Sequence, residues 1–265
     1  MELGLEGRVA LVSGSYRGTG LVIAQHLARE GATVFVHGFT PQQAQAACAE
    51  IGVGVPVAGD ITHDEGADRL IAECRAHLPA NGTSAIEILV NNYGRADRGH
   101  WETSGTADWL EAYQKNVLSA QRLIQRLLPD MRRRDFSRII NLGTVGSTRP
   151  NARMPHYYAA KGALATLTVS LAKELAGTAV RVNLVSPGLI LTPEVQAGLL
   201  ERARREGAGE RWEDVERHVA VDIPIRRIVR REEVADLVVF LASDRAAAIH
   251  GQNLRIDGGA LDVLT

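Results

Sequence analysis

Two residues with the right spacing for proton chemistry are Tyr157 and Lys161, in the segment His156-Tyr157-Tyr158-Ala159-Ala160-Lys161 that follows Pro155. Proline at the start of a helical pattern and a spacing of four put both side chains on one helical face, a turn apart. A free tyrosine titrates near pH 10, so trading its proton with an alcohol or carbonyl near neutrality takes about 4 kcal/mol of differential stabilisation. A lysine ammonium one turn away favours the phenolate and supplies part of that. Tyr-x-x-x-Lys is common by chance, so its meaning depends on its company. Thr144 lies just past an apolar run ending at Leu142, where its hydroxyl can meet a substrate oxygen. Asn116 sits among Tyr113, Val117 and Ala120, on the apolar face of a helical pattern. A buried amide there must find partners, either as structural glue or as a member of a polar relay.

A second constellation opens the chain. The run 8–13 leads directly into Gly14-Ser15-Tyr16-Arg17-Gly18-Thr19-Gly20 and then into a helical pattern over 21–30. Glycines at a strand-to-helix turn let backbone amides approach a pyrophosphate at the positive end of the helix. The second apolar run ends in Val36-His37-Gly38-Phe39-Thr40, without the carboxylate that would hold the ribose hydroxyls of NAD. Arg17 could face a 2′-phosphate, so NADP(H) is favoured over NAD(H).

These groups need a frame, and the periodicity supplies one. Apolar, β-branched runs at 8–12, 33–36, 53–57 (weaker), 86–90, 138–142, 180–185 and 254–256 alternate with helical spacing. One such pattern comprises Leu70, Ile71, Cys74 and Leu78; another comprises Leu110, Tyr113, Val117, Ala120, Ile124 and Leu127. Runs apolar on both faces predict an α/β fold: one doubly wound domain over 1–265, with a seven-stranded, mostly parallel sheet covered by helices on both faces. Its crevice lies outside the carboxyl ends of the strands. The segment 189–225 has no strand pattern and reads as a substrate lid.

Composition narrows the function further. Thirty Lys and Arg against 31 Asp and Glu give a charge of −1, with none of the basic excess of a nucleic-acid binder. Arg132-Arg133-Arg134 ends a helical pattern, where cations suit the helix dipole. Cys48 and Cys74 form neither a disulfide framework nor a metal pattern, and the eight histidines include no H-x-x-x-H pair. No run of 18 apolar residues and no signal peptide is present, so a cytoplasmic protein without a membrane partner is expected, and the sequon Asn81-Gly82-Thr83 idle.

The whole series resembles the short-chain dehydrogenase/reductase family in its form of about 250 residues, over residues 5–259. The matching pieces are GSYRGTG from Gly14, GDIT from Gly59, LVNNYG from Leu89, Asn116 in YQKNV and RIINLGTVG from Arg138. They continue with YYAAK from Tyr157, VRVNLVSPGLILTP from Val180 and REEVADLVVFLASDRAAAIHGQNLRIDGG from Arg231. The resemblance implies hydride transfer between NAD(P)H and a carbonyl or secondary alcohol. Tyr157 is then the general acid/base, Lys161 its pKa-lowering neighbour and ribose ligand, and Asn116 the holder of a relay water. Asp60 and Ile61 would meet the adenine, Asn92 and Gly94 the adjoining ribose, and Pro187, Gly188, Ile190 and Thr192 the nicotinamide end. A homodimer or homotetramer is also implied. The alternative is a catalytically silent nucleotide sensor or scaffold of the same fold.

Three departures from the family pattern matter. The usual serine is Thr144, whose methyl takes space in the substrate pocket. The usual alanine of N-N-A-G is Tyr93, and the position of a common NADP-binding arginine is Phe39, which leaves Arg17, helped by Thr40, to meet the phosphate. Between Glu194 and Arg217, seven acidic residues (Glu194, Glu201, Glu206, Glu210, Glu213, Asp214, Glu216) outnumber five arginines (Arg202, Arg204, Arg205, Arg211, Arg217). That balance offers no basic funnel for a phosphorylated acyl carrier.

Overall fold

The structure, a computed structural model, describes residues 2–78, 85–207 and 209–263; the sequon at Asn81 lies outside them. The first strand, β1 (Val9–Val12), shows why both faces must be covered. Val9 and Leu11 enter one apolar layer with Phe35, Leu70, Ile71, Leu123, Met131 and Ile139. Ala10 and Val12 enter the opposite layer with Ile23, Val34, Ile88, Ile140, Val234 and Val238. A strand alternates its side chains, so a run apolar at every position is stable only between two helical layers.

The remaining strands of that sheet are β2 (Thr33–Gly38), β3 (Val55–Ala58), β4 (Ile88–Asn91), β5 (Ser137–Leu142), β6 (Val180–Pro187) and β9 (Asn253–Ile256). Their order is β3-β2-β1-β4-β5-β6-β9, and every pairing is parallel. The order reverses between β1 and β4, which pair through Ala10 and Ile88. At such a switch point the two following loops diverge and leave a crevice. Here those loops are the glycine turn after β1 and Asn92-Tyr93-Gly94 after β4.

Helices α1 (Gly18–Arg29) and α9 (Arg231–Ala242) pack together on one face. On the other lie α3 (Asp64–Ala76), α5 (Ser119–Met131) and α6 (Pro155–Glu174). Helix α2 (Pro41–Ile51) connects β2 to β3 behind a capping box made by Thr40 and Gln43.

Two sequence expectations need correction. Leu110 and Tyr113 do not share the buried stripe of Val117, Ala120, Ile124 and Leu127; both are exposed. Helix α4 (Thr106–Tyr113) ends in a π-turn, Gln114–Leu118, before α5 begins. A π-turn adds a residue and rotates the flanking helix faces by about 100° relative to each other, so one heptad-like pattern cannot hold on both sides. The segment 189–225 is also not strandless. It begins with β7 (Ile190–Leu191), paired in parallel with β8 (Val229–Arg230), and continues with α7 (Pro193–Arg205) and α8 (Trp212–Val219).

Candidate active site

Tyr157 is the third residue of α6, and its ring lies beside that of Tyr158 with centroids 5.5 Å apart. Their hydroxyls have different partners. Tyr158 accepts a hydrogen bond from Asn151 Nδ2 at 3.0 Å, whereas the Tyr157 hydroxyl lies close enough to Thr144 for that side chain to lower its pKa. Thr144 follows β5 and caps the short 3₁₀ turn Val145–Ser147, accepting from Gly146 N at 3.2 Å. A cavity of about 330 Å³ is lined by Thr144, Tyr157, Gly188 and Leu189, so both hydroxyls face one space.

Lys161 lies one turn beyond Tyr157, is 3% exposed, and donates to the Leu142 carbonyl at 2.7 Å. Burial lowers its pKa to about 8, because an ammonium loses solvation there without gaining a carboxylate. The Tyr157 phenol is pushed up to about 12, first by burial and then by Tyr158, against the lowering effect of the Thr144 hydrogen bond.

Asn116 is buried in the π-turn. Its Oδ1 accepts from Arg95 N at 2.9 Å, and its Nδ2 donates to Arg95 O at 3.0 Å and to Ala112 O at 2.9 Å. The amide thus ties the loop after β4 to the helix. It still borders the site: a Cβ added at Gly94 would stand 2.7 Å from Asn116 Oδ1 and 2.8 Å from Lys161 Nζ. Only a glycine lets the chain pass between them.

The crevice at the switch point is a cleft of about 530 Å³, bordered by Gly14, Tyr16, Arg17, Gly18, Thr19, Gly20, Phe39, Asn92, Tyr93 and Gly94, among others. Gly14 and Gly18 have φ of +63° and +62°, a left-handed backbone that other residues rarely adopt. A Cβ at Gly20 would strike the Asn92 amide, which itself donates to Ser13 O at 3.0 Å. The first turn of α1 holds no carboxylate. These features fit a dinucleotide: bare backbone at a positive helix end, and a lysine whose ammonium commits one proton to Leu142 and keeps two.

The remaining expected contact residues have their own places in the fold. Ile61 is fully buried in the core, and the Thr40 hydroxyl is occupied in the cap of α2. Asp60 accepts from Thr62 N and Thr62 Oγ1, which hold its carboxyl below the usual range although burial opposes them. Pro187 ends β6, Gly188 N donates to Ile256 O, Ile190 lies in β7, and Thr192 caps α7 through Val195 N. Arg17 approaches Glu194 to 3.9 Å across the cleft, a contact between two exposed side chains.

Sequence reading missed two contributors. His37, fully buried, accepts from Gly14 N at Nδ1 (2.9 Å) and its Nε2 pairs with Gly59 O (2.8 Å). Accepting from an amide at one nitrogen and facing a carbonyl at the other defines the neutral Nε2–H tautomer. Burial lowers its pKa to about 4. The second is Phe39, whose ring meets Tyr93 edge-on with centroids 4.8 Å apart and Tyr16 at 6.2 Å, forming an aromatic wall on the cleft. The arginines after α5 take the bland role: Arg132 pairs with Glu174 and Arg133 with Asp130. Among the described residues no metal-binding cluster occurs, and no helix is long and apolar enough to cross a membrane.

Residues 14–260 match the family model described as enoyl-(acyl carrier protein) reductase. The chain is 32% identical to a 3-oxoacyl-(acyl-carrier-protein) reductase of Haemophilus influenzae over 263 residues, covering 96% of this chain and 98% of that protein. It is 34% identical to a D-beta-hydroxybutyrate dehydrogenase of Cupriavidus necator over 260 residues, again 96% and 98%. Among solved structures, L-sorbose reductase of Gluconobacter frateurii, complexed with NADPH and L-sorbose, superposes with a TM-score of 0.90 at 32% identity over 100% of both chains. Sequence, fold and site agree: the chain belongs to the short-chain dehydrogenase/reductase family and is an NAD(P)-dependent oxidoreductase.

Proposed function

We propose that the protein interconverts a carbonyl and a secondary alcohol with NADP(H) as the preferred cofactor and Tyr157 as the acid/base. The observation that carries this reading is the shared cavity of Thr144 and Tyr157, with Lys161 one turn behind. The nicotinamide cofactor supplies or takes the hydride. In the reductive direction Tyr157 gives its phenolic proton to the substrate oxygen, and Thr144 donates a hydrogen bond to the same oxygen. Thr144, on the same cavity as Tyr157, holds that oxygen against the phenol rather than against solvent. The Lys161 ammonium, held by Leu142, stabilises the phenolate left behind and would offer its remaining protons to the ribose of a bound nicotinamide cofactor.

NADP(H) preference is supported by Arg17 at the cleft and by the absence of a carboxylate from Gly38 to Thr40. The 189–225 segment, reaching the cleft through Glu194, acts as the substrate lid. Exposed Leu110 and Tyr113 on α4, with Val169 on α6, support association into a homodimer or homotetramer. Initial rates with NADPH and NADH across ketones, 3-oxoacyl thioesters, steroids and sugars test this reading. It predicts turnover of at least one class with NADPH ahead of NADH. Cofactor binding without turnover of any would instead favour a silent nucleotide sensor.

A further inference from the structure

Beside the cofactor cleft lies a cavity of about 560 Å³ where charge does not balance. Arg98, Arg153, Arg202 and Arg205 line it, against the single carboxylate of Glu206. Arg202 Nε takes Glu206 at 2.9 Å; the other three have no ion pair among the described residues. The guanidiniums come from three separate segments: the loop after β4, the loop before α6, and the last turn of α7. A helix C-terminus accounts for Arg202 and Arg205 through its dipole, but not for Arg98 and Arg153 meeting them there. Gathering four arginines around one carboxylate costs free energy that a bound oxyanion would return, and the planar fork of arginine suits carboxylate and phosphate.

The place of this cavity ties it to catalysis. Its wall includes Met154, which accepts from Tyr157 N at 3.1 Å and donates to Gly99 O at 3.0 Å. A neighbouring cavity shares Arg98, Arg202 and Arg205 with it, adds Glu201, and shares Glu194 with the cofactor cleft. We propose that these arginines form a subsite for a carboxylate or phosphate on the carbonyl substrate, so that the protein acts on an anionic oxo or hydroxy compound. This rests on the carbonyl-reductase reading and names its substrate class.

Two measurements test it separately. In the first, the NADPH-loaded protein, its Arg17 side occupied, is titrated with inorganic phosphate and followed by thermal denaturation. The subsite predicts a saturable rise in Tm that is lost in Arg98→Ala/Arg153→Ala and weakened in Arg205→Ala, which leaves the loop before Tyr157 intact. A Tm rise equal in all three proteins, or none in the wild type, overturns the subsite. In the second, kcat/KM is compared for an oxo acid and its neutral methyl ester. The acid is expected to lead by about tenfold in the wild type, with the ratio falling toward one in the variants. Turnover with no acid preference overturns the subsite alone. Turnover of neither compound, nor of any carbonyl, with the phosphate effect intact, overturns the reductase reading while the anion site stands.

Discussion

The first glycine of the cofactor loop hangs on a buried histidine: Gly14 N donates to His37 Nδ1 at 2.9 Å. The ring in turn faces Gly59 O, so one imidazole joins the ends of β1, β2 and β3 at the edge of the cleft. Protonation would replace the acceptor at Nδ1 with a second donor and break the bond to Gly14.

His37 should accordingly make the fold acid-sensitive. Its folded pKa of about 4 lies below the ordinary 6.5, so the unfolded chain takes up its proton first as pH falls. The stability tied to the neutral ring is present above pH 6.5 and drains away toward pH 4, by about 3 kcal/mol. Urea unfolding at pH 7 and 4.5 should show a steeper loss in the wild type than in His37→Gln, whose amide keeps an acceptor and does not titrate. Equal losses would remove His37 from the account.

Lys161 presents the opposite trade. With a folded pKa near 8 against 10.5, it binds its proton less firmly in the fold, so stability rises with pH between those values. At pH 7 the buried ammonium costs about 3 kcal/mol relative to a solvated one. Lys161→Met should therefore unfold at the same or higher urea concentration at pH 7 while losing at least about a hundredfold in kcat. A variant that is both less stable and fully active would contradict this.

Thr144 contributes a hydroxyl rather than a shape. Thr144→Ser should keep kcat/KM within about tenfold, and Thr144→Ala should lose about a hundredfold, the range for one oxyanion-side donor. Similar rates for the two variants would show that the hydroxyl is idle.

Tyr93 closes part of the cleft by its edge-on contact with Phe39. An aromatic pair of this kind holds together by about 0.5–1.5 kcal/mol, and any opening of the cleft that parts the rings must overcome it. Tyr93→Ala should then tighten NADPH binding by about threefold, read by the fluorescence of the bound dihydronicotinamide. Weaker binding would mean that the tyrosine stacks on the cofactor instead.

What the chain order carries and what only the fold creates separate cleanly along these residues. The glycine loop, the Tyr157–Lys161 turn and the both-faces-apolar strands are local patterns, and local patterns survive in a linear reading. His37 became meaningful only when β2 paired with β1 and brought its ring under Gly14. The π-turn at Asn116 follows the tether to Arg95, 21 positions away, and no periodicity announces it. The pairing of Ile190 with Val229 and the meeting of Arg98, Arg153 and Arg205 are likewise long-range.

The central claim is that Tyr157 moves the proton, and one comparison reaches it most directly. NADPH-dependent reduction of an accepted carbonyl compound is measured for the wild type and Tyr157→Phe, alongside NADPH affinity for both. The phenylalanine variant should bind NADPH within about twofold of the wild type and lose at least about a thousandfold in kcat. Near-wild-type turnover in Tyr157→Phe would contradict the assignment.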